Sequence, residues 1–196
     1  MPFELVDAAL SETRTVQRRL RDLPSGVGGY FLLAMCLFPE AGYRLVWDKP
    51  AAGLSGIPTA CPSTKALRDL LRRLGSAPVK ALFEVLAGPL AQPATPGARF
   101  GPFRTVSFDG CSSIKVPDSE PNRDRNRDRL GRCSNGGYPQ DELMTLVETG
   151  TRSLVAAVFG PTRRGEISYA TALLEHLAPD MLVLGDRGFD GSEFFA

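Results

Sequence analysis

Two stretches in the second half of the chain decide the expected fold: FRTVSFDG at residues 103–110 and DMLVLGD at residues 180–186. Each is a short apolar run with the length and composition of a β-strand. Each run leads to an aspartate, Asp109 or Asp186, which is followed by a glycine directly or two residues later. We therefore predict two strands that carry an acidic residue at their carboxyl ends.

The sequence around these stretches predicts the rest of a sheet. SSIKVPD (112–118), ELMTLVETG (142–150) and SLVAAVFGP (153–161) are further strand candidates. Residues 166–177 have apolar side chains at helical spacing. Strands followed by a helix and a last strand predict an α/β unit, in which the charged segment 122–132 is a protruding or disordered loop.

The first half of the chain has the pattern of helices separated by Pro and Gly. Helices are predicted at 3–22 and at about 27–38, after a Ser63 cap, and from Ser76 to Leu86. The segment 88–101 is rich in Pro and Gly and has the composition of a linker. We predict an α+β protein with an all-α domain at 1–98 and an α/β domain at 99–196.

The two aspartates have two possible roles. An open sheet gathers ligand groups at the carboxyl ends of its strands, so acids on adjacent parallel strands could bind one cation. Carboxylates suit Mg²⁺ or Mn²⁺, and two such ions can assist the displacement of a phosphodiester. An aspartate before a glycine is also a common turn residue. The residues alone leave both roles open.

Composition excludes several other classes of site and location. The 196 residues carry a net charge of +1, which does not indicate a particular partner. The four cysteines are far apart and there is one histidine, which argues against zinc. The N-terminus lacks the pattern of a secretory signal, and the apolar run 27–38 is too short to span a bilayer. We therefore expect a cytoplasmic protein.

Three blocks of the second half resemble bacterial transposases of the insertion-sequence-four family: TVSFDGCSSIKVPDS, GGYPQDELMTLVETGTRSLVAAVFGPT and DMLVLGDRGFDG. The helical half, with VQRRLRDLPSGVGGYFLLAMCLFP and TKALRDLLRRLGSAPVKALFEVLAGPLA, is similar to the N-terminal domain of that family. The most specific motif is LGDRGF, since this context is typical of the family's second catalytic aspartate.

The resemblance implies an RNase-H-like catalytic domain that cleaves and joins DNA with Mg²⁺ or Mn²⁺. Asp109 then corresponds to the first catalytic, metal-binding carboxylate and Asp186 to the second, on neighbouring parallel strands. The implied partner is DNA at the transposon ends, and the chain could associate as a dimer or with a full-length transposase.

The family's third carboxylate, a glutamate in a Tyr-x-x-Arg-x-x-x-Glu pattern, has no counterpart here, and Glu193 is too close to Asp186 to replace it. We therefore expect a truncated transposase that is inactive alone. The alternatives are a non-catalytic fragment that binds transposon ends or inhibits the full-length enzyme, and a remnant without a stable fold.

Several arginines are candidates for DNA contacts. Arg18, Arg19 and Arg21 follow the apolar stripe of the predicted first helix, and Arg72 and Arg73 lie off a leucine face. Arg187 is beside Asp186. Charged residues opposite an apolar stripe are ordinarily solvated, so their assignment to DNA binding depends on the resemblance.

Overall fold

In a computed structural model the chain divides into two compact units, Met1–Leu86 and Ala87–Ala196. The structure describes residues 3–19, 22–52, 61–126 and 138–189. Helices in the first unit and a mainly antiparallel sheet in the second agree with the predicted α+β class.

The first unit is built from helices around two apolar clusters. Its helices are α1 (Phe3–Glu12), α2 (Ser25–Leu37), α3 (Tyr43–Ala52), α4 (Thr64–Leu74) and α5 (Ala77–Leu86). One cluster centres on Phe31 and Trp47, whose rings meet edge to face. The other joins Val6, Leu10 and Leu74. The predicted helices at 27–38, after Ser63 and up to Leu86 are confirmed.

Helix α4 shows why its prediction from sequence is reliable. The Ser63 hydroxyl accepts a hydrogen bond from the Ala66 amide at 3.1 Å, which satisfies one of the free donors at the start of the helix. Leu67, Leu70 and Leu74 are buried along one face. Local capping and apolar spacing therefore indicate the same helix.

The two adjacent glycines of α2 allow other helices to approach closely. A Cβ on Gly29 would lie 2.9 Å from Val6 Cγ1, and one on Gly28 would lie 3.0 Å from Leu70 Cδ1. The GVGG stretch thus serves packing of α1 and α4 against α2. None of the described helices is long and apolar enough to cross a membrane.

The predicted helix at 3–22 is wrong in its second half, because α1 ends at Glu12. The Thr13 hydroxyl donates to the Ala9 carbonyl at 2.7 Å, and Arg14 has a positive φ of 55°. This left-handed residue ends the helix. Arg18 and Arg19 consequently lie in the connection to α2 and not on a helix. Helix α3 is absent from the sequence prediction.

The second unit is a sheet with helices. Its strands are β1 (Arg99–Phe100), β2 (Phe103–Lys115), β3 (Gln140–Glu148), β4 (Leu154–Pro161) and β5 (Met181–Leu184). Strands β1 to β4 pair antiparallel in chain order, and β5 pairs parallel with β2. Its described helices are α6 (Glu120–Arg125) and α7 (Glu166–Leu173). The core includes Val106, Phe108, Met144, Leu146, Tyr169, Leu173 and Phe189.

Several predictions for this unit need correction. The strands expected at 103–110 and 112–118 form one strand, because an irregularity between Cys111 and Ile114 lets β2 continue. The helix expected at 166–177 ends at Leu173 and is followed by a 3₁₀ turn. The charged segment begins within helix α6, and its part from 127 to 132 lies outside the described residues.

The segment expected to be a linker is hydrogen-bonded to the sheet. The Ser153 hydroxyl donates to the Gly88 carbonyl at 2.7 Å, and the Thr149 hydroxyl donates to the Gly97 carbonyl at 2.7 Å. The Leu90 and Ala91 amides donate to Glu148. Residues 88–97 are therefore held by the second unit.

Candidate active site and arginine cavity

The parallel pairing of β2 and β5 relates the two aspartates. Ser107 is the register partner of Leu184. Asp109 follows Ser107 by two residues, and Asp186 follows Leu184 by two residues. Paired parallel strands lie about 4.8 Å apart, and residues two apart on one strand share a face. Asp109 and Asp186 therefore occupy equivalent positions, each two residues beyond the Ser107–Leu184 pair.

Asp109 is an exposed residue in the middle of β2, which corrects its predicted place at a strand end. Its neighbour Phe108 is buried in the core, so the alternation of a strand directs Asp109 to the opposite face. The Thr145 hydroxyl of β3 donates to the Asp109 carbonyl at 2.9 Å. The backbone of Asp109 is fixed by pairing with β3, while the side chain remains accessible.

Asp186 is exposed just beyond the end of β5 and has the turn role considered from the sequence. Its Oδ1 accepts a hydrogen bond from the Gly188 amide at 2.7 Å, and its carbonyl accepts one from the Phe189 amide at 3.2 Å. Its observed role is therefore that of a turn residue, since it stabilises the 3₁₀ turn Arg187–Phe189. The described residues give its Oδ2 no hydrogen-bond partner, so this oxygen is open to a ligand.

The aromatic residue of the LGDRGF motif anchors this turn. Phe189 is buried, and its ring centroid lies 5.7 Å from that of Phe108, the residue before Asp109. This ring contact thus links the backbone segments that carry the two aspartates. Sequence reasoning assigned the motif its importance by resemblance alone and missed this packing role. Arg187, between Asp186 and Gly188, is exposed.

The carboxylate oxygens of Asp109 and Asp186 are ligands that suit a hard cation, but two carboxylates do not fill its coordination shell. Within the described ranges, no group of three or more His, Cys, Asp or Glu side chains is placed to hold a metal ion. Glu166 lies near this strand, with its Oε1 3.2 Å from where a Cβ on Gly110 would be. Gly110 is adjacent to Asp109, so that Cβ position is on the other face of β2. Glu166 is therefore not positioned to complete the pair.

The first unit holds a separate arginine cluster, which we call the arginine cavity. Arg14, Arg18, Arg19 and Arg73 line a cavity of about 460 Å³, together with Thr15, Val16 and Gln17. Three of the arginines predicted to bind DNA thus come together, and Arg14, which the sequence analysis missed, joins them.

Arg72 and Arg21 differ from these arginines. Arg72 pairs with Asp69 at 3.5 Å on the surface of α4, and it does not line the cavity. Adjacent residues on a helix point in different directions, which separates Arg72 from Arg73. Arg21 lies outside the described residues.

Comparison with known proteins shows which sequences the chain is similar to. Residues 1–84 match the family "Insertion element 4 transposase N-terminal". Over 188 residues, 95% of this chain, the sequence is 29% identical to "Transposase InsG for insertion sequence element IS4" of Escherichia coli strain K12. The chain spans 41% of the length of that relative. Residues 1–84 thus match the N-terminal domain of insertion-element-four transposases, and the chain is similar to one such transposase over most of its length.

Proposed function

We propose that this chain acts in DNA transposition, with Asp109 and Asp186 as metal-binding carboxylates of a site for DNA cleavage and strand transfer. The observation that carries the proposal is the common register of the two aspartates beyond the Ser107–Leu184 pair. Similarity to an insertion-sequence transposase supplies the reaction class. In this proposal the helical first unit binds the transposon ends.

The strand arrangement supports an RNase-H-like origin of the second unit. Strands β2, β3 and β4 are antiparallel neighbours in chain order, helix α7 follows, and β5 returns parallel to β2. The resemblance requires the first and fourth long strands to be parallel neighbours, and β2 and β5 have this relation.

Asp109 and Asp186 are the residues that would hold Mg²⁺ or Mn²⁺, since both are exposed and offer hard oxygen ligands. When bound, the ion would neutralise charge on the phosphodiester and assist the attacking oxygen. The protein's contribution is orientation. The Gly188 amide holds Asp186 Oδ1, and the buried ring of Phe189 holds the turn in place.

Calorimetric titration with Mn²⁺ tests this assignment. We expect weak binding, because two carboxylates leave solvent to complete the coordination shell. Asp109→Asn and Asp186→Asn should each reduce the affinity at least about tenfold, since each removes a charged ligand. The matched control is Asp180→Asn, because Asp180 is an exposed aspartate just before the other end of β5. Binding that is equal in all four proteins would remove both aspartates from the site.

A second candidate function is recognition of transposon ends without catalysis. The observation that favours DNA binding by the first unit is the arginine cavity, which belongs to the unit that carries the family's N-terminal match. Electrophoretic mobility shifts test this function on DNA duplexes with and without the terminal repeats of the transposable element. The second candidate is favoured over the first if the chain prefers the repeats and if Mn²⁺ binding is unchanged by Asp109→Asn and Asp186→Asn.

A further inference from the structure

We infer that the arginine cavity is a phosphate-binding site that grips the backbone of duplex DNA, with Arg14, Arg18, Arg19 and Arg73 as its cationic groups. The inference rests on the proposed function for the identity of the partner as DNA. Beyond that function, it names the residues that contact DNA, the backbone phosphates as the part of DNA that they bind, and Arg72 as a neighbouring arginine that takes no part.

The segment that carries three of the arginines is held in a defined conformation. The buried hydroxyl of Ser25, at the start of α2, donates to the Thr15 carbonyl at 2.8 Å. The Ser25 amide donates to the Gln17 side chain at 2.7 Å. These bonds fix the backbone on either side of Val16, so the loop does not need to be ordered by a ligand. Preorganisation of this kind lowers the entropic cost of binding.

The fourth arginine comes from a distant part of the chain. Arg73 lies in the last turn of α4, and its guanidinium donates to the Leu23 carbonyl at 2.6 Å. This bond directs Arg73 toward the segment before α2 and leaves further N–H donors on the same guanidinium. The cavity therefore joins two regions of the sequence around one space.

The electrostatics of the cavity favour an anion. All four arginines are exposed, and the described residues provide none of them with an ion pair to an acidic side chain. Four like charges around one cavity repel each other, and a bound anion relieves that repulsion. Arginine presents planar paired donors that match phosphate oxygens.

The form of the cavity favours a backbone phosphate over base recognition. Its volume of about 460 Å³ exceeds a single phosphate group and leaves room for adjoining sugar atoms. Its described polar lining is dominated by guanidinium groups, which suits a repeated, sequence-independent phosphate. We therefore expect the cavity to position DNA and not to read its sequence.

Fluorescence anisotropy of the 196-residue chain with labelled duplexes tests the inference. The double variant Arg18→Gln with Arg19→Gln should weaken binding at least about tenfold, because charge-assisted bonds to phosphate are lost. It should lower the slope of log affinity against log salt by about one unit for each phosphate released. The effect should be equal on terminal-repeat and unrelated duplexes. Arg72→Gln is the matched control and should change affinity less than about twofold.

Arg14→Gly separates binding from folding. Glycine adopts the positive φ of Arg14 without strain, so this variant should keep or raise the melting temperature while it weakens DNA binding. A variant that lost binding because it unfolded would show the opposite change in melting temperature. Weaker binding together with an unchanged or higher melting temperature supports the inference.

The remaining outcomes are distinguishable. DNA binding that is unchanged in the double variant would overturn the cavity assignment and leave the proposed function standing. Absence of DNA binding by the parent chain would overturn both. Titration with inorganic phosphate alone separates DNA from a free phosphate compound as the ligand. If the double variant loses phosphate binding but still binds duplex DNA as the parent chain does, the cavity binds a free phosphate compound. That result would overturn the assignment to DNA. If Arg72→Gln weakens duplex binding as much as the double variant does, the loss reflects net charge alone. That result would also overturn the cavity assignment.

Discussion

Glu148 is a fully buried carboxylate at the end of β3, and four donors converge on it. Burial acts to raise the pKa of Glu148, but hydrogen bonds from the Thr151 hydroxyl, Arg104 and the Ala91 and Leu90 amides outweigh it and hold the pKa below its usual value. The charged form is therefore the stable one in the folded protein. Through these bonds Glu148 ties the start of β2 and the Pro-rich segment to the sheet.

Substitution Glu148→Gln should destabilise the second unit at neutral pH by on the order of 3 kcal/mol, because it leaves the guanidinium of Arg104 without its buried partner. The sign of the pH dependence follows from the lowered pKa. The stabilisation is present above the unfolded-state pKa of the glutamate and is lost as pH falls through its lower folded-state pKa. Chemical denaturation at several pH values measures both effects.

The surface pair of Asp118 and Arg123 provides the control for this prediction. Its Asp118 Oδ2 and Arg123 Nη2 atoms lie 2.6 Å apart, and both side chains are exposed. Asp118→Asn should therefore change stability much less than Glu148→Gln. If the free energy of unfolding falls equally with decreasing pH in wild type and Glu148→Gln, Glu148 is not the source of the pH dependence.

At the scale of elements, the 3₁₀ turn after β5 depends on Phe189. Phe189→Ala removes a buried ring that contacts Phe108 and should reduce stability by about 3 kcal/mol. It should also weaken Mn²⁺ binding, because Asp186 belongs to the same turn. Thermal denaturation and the Mn²⁺ titration measure the two effects. Phe159→Ala is the control, since that ring is 65% exposed on β4. Full retention of Mn²⁺ affinity in a folded Phe189→Ala protein would contradict the positioning role.

The elements also show which information the sequence contains. Helix α4 could be predicted because its Ser63 cap and its leucine spacing are local signals that agree. The pairing of β2 with β5 followed from the resemblance, and the parallel register confirms the neighbouring strands. In contrast, the continuation of β2 past Asp109 depends on pairing with β3, which runs through Cys111 and resumes at Ile114 after an irregularity. Such a contact between distant segments leaves no periodic pattern in the strand itself.

The arginine cavity shows the same limit at the level of the site. Arg18, Arg19 and Arg73 could be selected from their charge, but their convergence depends on the early end of α1 and on the bond from Arg73 to the Leu23 carbonyl. Arg14 escaped notice because it occupied an interior position of a helix that was predicted to continue. In the structure Arg14 has a φ of 55°, lies beyond the end of α1 and lines the cavity.

At the scale of the whole molecule, we predict that the 196-residue chain alone will not cleave DNA in Mg²⁺ or Mn²⁺. In the described part of the chain, the candidate site has two carboxylates, and one oxygen of Asp186 is already engaged by the Gly188 amide. Displacement at a phosphodiester requires the attacking and leaving oxygens to be held in register, and a misplacement of about 1 Å can cost roughly 100-fold in rate. The measurement is a plasmid-nicking assay with supercoiled DNA that carries the element's ends, with the Asp109→Asn and Asp186→Asn proteins as controls for contaminating nuclease. Nicking by the parent chain that disappears in both aspartate variants would show that these two carboxylates suffice, and it would overturn the prediction.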